Sequence, residues 1–350
     1  MQPKSIMVLK VLIILLLFDQ TVFSQDNIYQ KQNFLTIVSY NVENLFDTID
    51  EPNKLDNEFL PDSATNWNTE KYIKKLKDLS AVISSINKYE LPELVGLVEV
   101  ENLRVLNDLI NTGKLKEGNY SIVHYESPDE RGIDVALLYR DDEFKLISSK
   151  IIPVNFDFEP ETKTRDILYV KGKIGQNEVL HVFVNHWSSR REGQEVSEPK
   201  RVYSAKLLRN QVDSIMKYDK NAKIIIMGDF NDEPTNKSLS EILMATNSQH
   251  PGKKGGMCNL MYDKHLLGLG TYNYKGNWNM LDNLIVSRTL LNSPGKFEVS
   301  HDGGQIFQLR WMMWDNVKTG ELTPNRTYSG TKYLGGVSDH LPVYLILKNK

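Results

Sequence analysis

Six short polar motifs each stand where an apolar run ends: Ser39-Tyr40-Asn41-Val42-Glu43-Asn44, Val98-Glu99-Val100-Glu101-Asn102, Val184-Asn185-His186-Trp187, Gly228-Asp229-Phe230-Asn231-Asp232, Leu281-Asp282-Asn283 and Ser338-Asp339-His340-Leu341-Pro342. Each supplies a carboxylate, an amide or an imidazole. A strand that runs apolar and then finishes in such a residue holds that side chain at the rim of a sheet. Rims spread over most of the chain argue for one composite site. Its inventory suits a hard divalent cation and a phosphate ester.

Taken singly the motifs say little. Gly228-Asp229-Phe230-Asn231 also makes a good turn, and Asp282 could cap one. His186 alone could be a hydrogen-bonded core histidine. Glu99 is harder to dismiss, because it follows a buried-looking run where an unpaired carboxylate is costly.

Positioning these residues requires strands that end at them. β-branched content predicts a strand over 34–40, and 48–68, rich in Asp, Asn and Pro, reads as a surface loop. Tyr72, Ile73, Leu76, Leu79, Val82, Ile83 and Ile86 recur at helical spacing, which predicts a helix over 69–87 with Thr69 as N-cap. A buried strand over 94–100 and a helix over 102–115 follow. Strands are expected over 121–125, 133–139, 144–156, 166–173 and 179–186, then a helix over 203–216 and a fully apolar strand over 223–228. A short helix over 238–245 and strands near 270–274, 280–286 and 341–347 complete the pattern. There is no internal repeat or low-complexity linker. Asn41 and His340 must meet for the chemistry to work, so one domain over 34–348 is expected, a sheet-on-sheet sandwich with outer helices.

The chain has 350 residues, 40% hydrophobic and 25% charged, which is ordinary for a globular protein. A net charge of -3 excludes a bulk basic field for capturing nucleic acid, so a polyanion would need local basic patches or metal ions. Lys4 and Lys10 precede an apolar run over 11–18, and Val22-Phe23-Ser24 resembles a cleavage site. Residues 1–24 therefore read as a cleaved signal peptide and 25–33 as a polar leader, giving a secreted or periplasmic protein. The apolar run is shorter than the ~20 residues of a spanning helix, and no cysteine stands near the cleavage site to make a lipoprotein. Cys258 is the only cysteine, so no internal disulfide can form, and it reads as incidental. No Cys/His cluster suggests structural zinc, and no Gly-Lys-Ser/Thr loop suggests triphosphate hydrolysis. His124, His181, His250, His265 and His301 carry no comparable context and read as structural or surface residues.

In order and spacing the motifs resemble those of the endonuclease/exonuclease/phosphatase superfamily, over about residues 34–347. That family includes pancreatic-type deoxyribonuclease, abasic-site endonucleases, inositol polyphosphate phosphatases and bacterial sphingomyelinases. The resemblance implies an α/β fold, a four-layer α/β sandwich of two packed mixed sheets flanked by helices, with the site at one end. It implies metal ligation by Glu99, helped by Asn41 and Asp339, and catalytic roles for His186, Asp229, Asn231, Asp282 and His340. Val98 stands where many members have Gln. His186 matches the deoxyribonuclease and sphingomyelinase branches and departs from the abasic-site branch.

The cation expected is Mg²⁺, with Mn²⁺ or Ca²⁺ as substitutes, because carboxylates and water suit it. Asp229 or His340 would activate the attacking water, and the sequence does not separate them. Asp282 would fix the tautomer of His340. Asn231 and His186 would hydrogen-bond phosphate oxygens. On the substrate side, Arg190 and Arg191 follow His186 closely, Arg165 precedes a strand, and Arg326 lies in an aromatic stretch over 301–336 that could stack bases or touch lipid. The leading expectation is a monomeric exported phosphodiesterase acting on DNA or RNA, without an obligate protein partner. The alternatives are a phosphomonoesterase, a phospholipid phosphodiesterase, and a non-catalytic binding protein on the same fold.

Overall fold

The structure is a computed structural model that describes residues 34–247, 255–291, 296–301, 303–317 and 320–349. The expected signal peptide and leader lie outside these residues. The described residues fall in one compact unit, Asn33–Lys350.

Strand β1 (Phe34–Leu45) pairs in parallel with β2 (Leu94–Val100), and β2 pairs antiparallel with β4 (Asp134–Arg140), which also takes β3 (Tyr120–His124). The second sheet runs through β5 (Phe144–Ile152), β6 (Ile167–Ile174), β7 (Glu178–His186) and β8 (Lys223–Asp229). Beyond β8 it continues through β13 (Asp282–Ser287) to the short strands β10 (Met257–Asn259) and β9 (Ala245–Thr246). Two further hairpin strands, β11 (Tyr272–Tyr274) and β12 (Asn277–Asn279), stand apart from both sheets. The first sheet closes with β20 (Val343–Asn349), which pairs β1 and carries the short β14 (Phe297–Val299) and β15 (Gln305–Ile306). Two small hairpins, β16 (Met313–Asn316) with β17 (Glu321–Pro324) and β18 (Tyr328–Ser329) with β19 (Lys332–Tyr333), precede β20.

Alternation along the strands sorts side chains into layers. Leu35 and Ile37 of β1 and Ile225 and Met227 of β8 share one buried cluster between the sheets. Val38 and Tyr40 face outward onto Leu76, Leu79 and Ile83 of α1 (Thr69–Ser85) and Leu106 of α2 (Leu103–Ile110). Ile224 and Ile226 face the other way, onto Ala205, Leu208 and Val212 of α3 (Gln194–Tyr218). Both sheets are thus buried on both faces, which is why their central strands read as nearly continuous apolar runs. The fold is the expected four-layer α/β sandwich.

The boundaries moved for local reasons. Asn68, not Thr69, caps α1, its side chain accepting from the Lys71 N–H. Asn102 caps α2, which gives way to a 3₁₀ turn at Gly113–Glu117. The expected short helix at 238–245 is a π turn, Ser238–Ile242.

Gly228 closes β8 at φ +135°, and a Cβ there would stand 1.9 Å from the Asn185 carbonyl oxygen of the neighbouring strand. Only glycine permits β7 and β8 to stay paired through this point. Gly228→Ala should cost about 2–4 kcal/mol of stability, the combined scale of backbone strain and overpacking. A urea midpoint equal to wild type would refute the close approach.

Candidate active site

Four strands, β1, β2, β7 and β8, end at one edge of the sandwich, and β13 begins there. In register, His186 stands beside Asp229 and Asp229 beside Asp282, so three adjacent strands deliver three titratable side chains. In the other sheet the pairing of β2 with β4 shifts between Val98 and Val100, a bulge that takes Glu99 out of register. Glu99 sits there at φ +64°, and Glu43, Asn44 and Asn231 are also left-handed at +49°, +54° and +49°. Bulges and strained backbone re-aim side chains at functional sites at a cost of roughly 1–3 kcal/mol each.

Asn41 ties the two sheets together: its Nδ2 donates to Asp229 Oδ2 at 3.1 Å and to Glu99 Oε1 at 3.4 Å. Its Oδ1 accepts from the Glu43 N–H at 2.9 Å. So placed, Asn41 bridges two carboxylates instead of presenting the oxygen expected of a metal ligand. The Asn44 N–H donates to Glu99 Oε2 at 3.0 Å. His186 Nε2 faces the same pair, 3.7 Å from Glu99 Oε1 and 3.9 Å from Asp229 Oδ2.

On the far side of Asp229, His340 Nε2 stands 3.9 Å from Asp229 Oδ2 while its Nδ1 bonds Asp282 Oδ2 at 2.7 Å. Thr271 Oγ1 donates to the same Asp282 oxygen at 2.6 Å. The Tyr272 ring lies over the imidazole at 4.8 Å between centroids. Ser338 Oγ donates to the Asn41 carbonyl and accepts from the His340 N–H, joining the last motif to the first.

Burial of these groups sets their charge. Burial alone would drive the His340 proton off, but the Asp282 carboxylate outweighs it and holds His340 well above the usual imidazole range. His186 has no such partner, so burial, with Arg165 and Arg131 nearby, holds it well below that range and keeps it neutral. Burial pushes the Asp229 carboxyl up to about 6, against the pull of His340.

These groups line a cavity of about 580 Å³ shared with Glu43, Arg131, Arg191, Tyr272, Tyr274, Arg326 and Asp339. Of the expected substrate-side cations, Arg191 and Arg326 line it with exposed or half-exposed guanidiniums. Arg326 bonds Asp339 Oδ2 at 2.5 Å and lies 3.8 Å from Glu43 Oε1. Arg190 reaches the wall, but its guanidinium is spent on the Asn231 carbonyl, Asp232 and Asn236. Arg165 does not reach the cavity; it is buried, bonding Asp129 at 3.0 Å and the Trp187 carbonyl at 2.7 Å. Asn231 lines the cavity, yet its Nδ2 donates to that same carbonyl and its N–H to Asp229 Oδ1. These bonds make it a brace for Asp229 and the loop. Phe307, Trp311 and Trp314 of the 301–336 stretch stay out of the cavity. Its aromatic wall comes from Tyr272 and Tyr274, on a strand too short to show periodicity.

The donor set fits a hard divalent cation. Glu43, Glu99, Asp229 and Asp339 bring carboxylate oxygens to one cavity with no thiolate among them. Glu99 is best placed to hold the ion, and Asp339 and the more deeply buried Glu43 also line the cavity.

The described chain also resembles known proteins. A sequence profile of the Endonuclease/Exonuclease/phosphatase family matches residues 36–349. An endonuclease/exonuclease/phosphatase family protein from Bacteroides thetaiotaomicron superposes with a TM-score of 0.54 at 17% identity, covering 91% of this chain and 98% of that one. A mannosyl-6-phosphatase from the same bacterium gives a TM-score of 0.52 at 17% identity, covering 89% and 99%. D. rerio TDP2 complexed with a single-strand DNA product gives 0.53 at 15%, covering 91% and 100%. No curated protein sequence matches the chain. At these identities the structural likenesses speak to the fold alone, whereas the profile covers nearly every described residue. The chain belongs to the endonuclease/exonuclease/phosphatase family, whose members are metal-dependent phosphoric ester hydrolases.

Proposed function

We propose that the protein is an exported, Mg²⁺-dependent phosphodiesterase that cleaves nucleic acid by attack of water on phosphorus. The observation that carries the reading is the convergence of Glu99, His186, Asp229 and His340 on one cavity, with Asn41 and Asp282 hydrogen-bonded behind them. Pure binding has no use for an imidazole charged and oriented by a buried carboxylate.

Asp229 is the group that takes the proton of the attacking water. The Asp282 carboxylate favours a proton on His340, which leaves Asp229 as the better base; the His340 Nε2–H then serves the phosphoryl oxygens or the leaving group. Neutral His186 donates a second N–H from Nε2 to the phosphoryl group. Asn41 and Asn231 fix the Asp229 carboxylate from opposite sides. Glu99 would hold the divalent cation, which when bound would supply charge neutralisation on the phosphate and stabilisation of the leaving alkoxide. Arg191 and Arg326 meet flanking phosphates, and Tyr272 and Tyr274 offer faces for bases to stack on. D. rerio TDP2, which has this fold, was crystallised with a single-strand DNA product. The basic start and apolar run of residues 1–24 support export.

A second reading is a phosphomonoesterase of small polar substrates. It is favoured by the cavity's size, within the usual range for small-molecule sites, and by the similarity to a mannosyl-6-phosphatase. Mature protein with Mg²⁺ should be offered plasmid DNA, RNA, sugar phosphates, sphingomyelin and phosphoinositides in parallel. Nucleic acid cleavage that stops with excess EDTA and returns with Mg²⁺ is the expected result. Full activity in EDTA after dialysis would overturn the metal-assisted reading, and turnover of sugar phosphate alone would select the second.

A further inference from the structure

His124 looked unremarkable in the sequence, yet the fold sets it among carboxylates. It ends β3 and stands 2.9 Å from Asp134 Oδ2, at the start of β4, and 4.0 Å from Glu126 Oε1. The ligand-type atoms of the three residues all lie within 4.8 Å of one another. Two ligands on a tetrahedral zinc ion at 2.0–2.1 Å sit about 3.4 Å apart, and the observed separations bracket that spacing. None of the three residues lines the catalytic cavity.

Carboxyl groups crowd the surroundings. Asp47, Asp56, Glu101 and Asp134 are buried, and Glu51 and Glu126 join them. The nearby cations do not balance these groups. Arg104 pairs with Asp47, and Lys54 Nζ donates to the Ser127 and Asp129 carbonyls. Two carboxylate oxygens, Glu51 Oε2 and Asp56 Oδ1, are buried without any hydrogen-bond partner, and Asp56 is only 2% exposed. Unpaired buried carboxylate oxygen is costly, and a cation removes the cost.

We propose that His124, Glu126 and Asp134, with Glu51 beside them, form a second metal site that takes a divalent ion of the Zn²⁺ class. A nitrogen donor among carboxylates favours zinc over Mg²⁺ or Ca²⁺. The site closes the segment between β3 and β4, because His124 precedes it, Glu126 opens it and Asp134 follows it. That segment carries Arg131, which lines the catalytic cavity, and Asp129, which holds Arg165. The ion is thus a staple for one wall of the cavity and takes no part in the reaction there.

The test uses protein stripped with chelator, dialysed and titrated calorimetrically with ZnCl₂. The Glu99→Gln background removes the best catalytic ligand, so binding that survives it belongs elsewhere. Wild type, with its catalytic donors intact, can take up more than one ion, but in Glu99→Gln one equivalent should remain, and that protein should melt higher with Zn²⁺ present, as expected when an ion binds only the folded state. Glu126 is 51% exposed, so Glu126→Gln should fold normally. It should weaken Zn²⁺ binding at least about tenfold, since even partners behind the ligands are worth 10–100-fold, and should abolish the rise in melting temperature. His124→Gln should do the same. Zn²⁺ binding that the Glu99→Gln/Glu126→Gln double variant leaves intact, or that Glu99→Gln alone removes, would overturn the proposal. Neither readout depends on turnover, so the inference can fail or stand independently of the proposed hydrolysis.

Discussion

Asp282→Asn should lower kcat nearly as much as His340→Ala, each by on the order of 10²–10⁴, the range for lost acid–base or electrostatic assistance. The double variant should be little worse than either single. Asp282 Oδ2 is the only acceptor His340 Nδ1 has among the described residues, at 2.7 Å in a fully buried setting. With asparagine there, the carboxylate that does most to hold the imidazole proton is gone, and burial, opposed then only by Asp229 and Asp339, shifts the imidazole toward its neutral form. The ring loses both its charge and its fixed tautomer, so removing the ring afterwards takes away little more. Groups that act as one unit are non-additive in this way. The pH profile carries the sign. In wild type, Asp229 must be ionised, so activity falls as pH drops through its carboxyl, and a bound cation beside it draws that limb lower. In Asp282→Asn, an alkaline limb should move down into the neutral range as His340 deprotonates earlier. Losses that multiply in the double variant, or an alkaline limb that stays in place, would show that the pair does not act as a unit.

What the sequence revealed and what it hid follow from the same physics. β1, β2, β7 and β8 are buried on both faces, so their apolar runs stop abruptly where they meet solvent, and Asn41, Glu99, His186 and Asp229 stand at those stops. Such a boundary is visible in one dimension. Arg165 and Arg190 looked like substrate cations because a guanidinium's partner is invisible until the chain folds. Theirs are Asp129 and Asp232, each more than thirty residues away. The start of α3 was missed for a related reason. Its first two turns bury Ser197, Lys200 and Arg201 through Glu159, Glu192 and Asp232, and an apolar period cannot report burial achieved by ion pairs. Thr271 and Tyr272, which steady Asp282 and His340, fall in the strand expected near 270–274, but a strand this short carries too little pattern to show which side chains face the site.

Glu99 and Asp229 are neighbouring carboxylates with different work, and two substitutions should separate them. Glu99→Gln keeps the shape and leaves an oxygen for the Asn44 N–H, but it removes the charge that holds the cation. Half-saturation by Mg²⁺ should therefore move upward by on the order of tenfold or more, with much of the maximal rate recovered at high metal. Asp229→Asn removes the proton acceptor while Glu99 stays in place. Its maximal rate should fall by on the order of 10²–10⁴ at any metal concentration, with half-saturation close to wild type. Both side chains sit at the strand ends, outside the apolar clusters, so both variants should melt near wild type. The decisive measurement is rate against Mg²⁺ concentration for each variant at fixed saturating substrate. If Asp229→Asn moves the metal curve and Glu99→Gln lowers only the plateau, the two roles are exchanged. The ion would then sit between β8 and β1, and His340, not Asp229, would have to be reconsidered as the base.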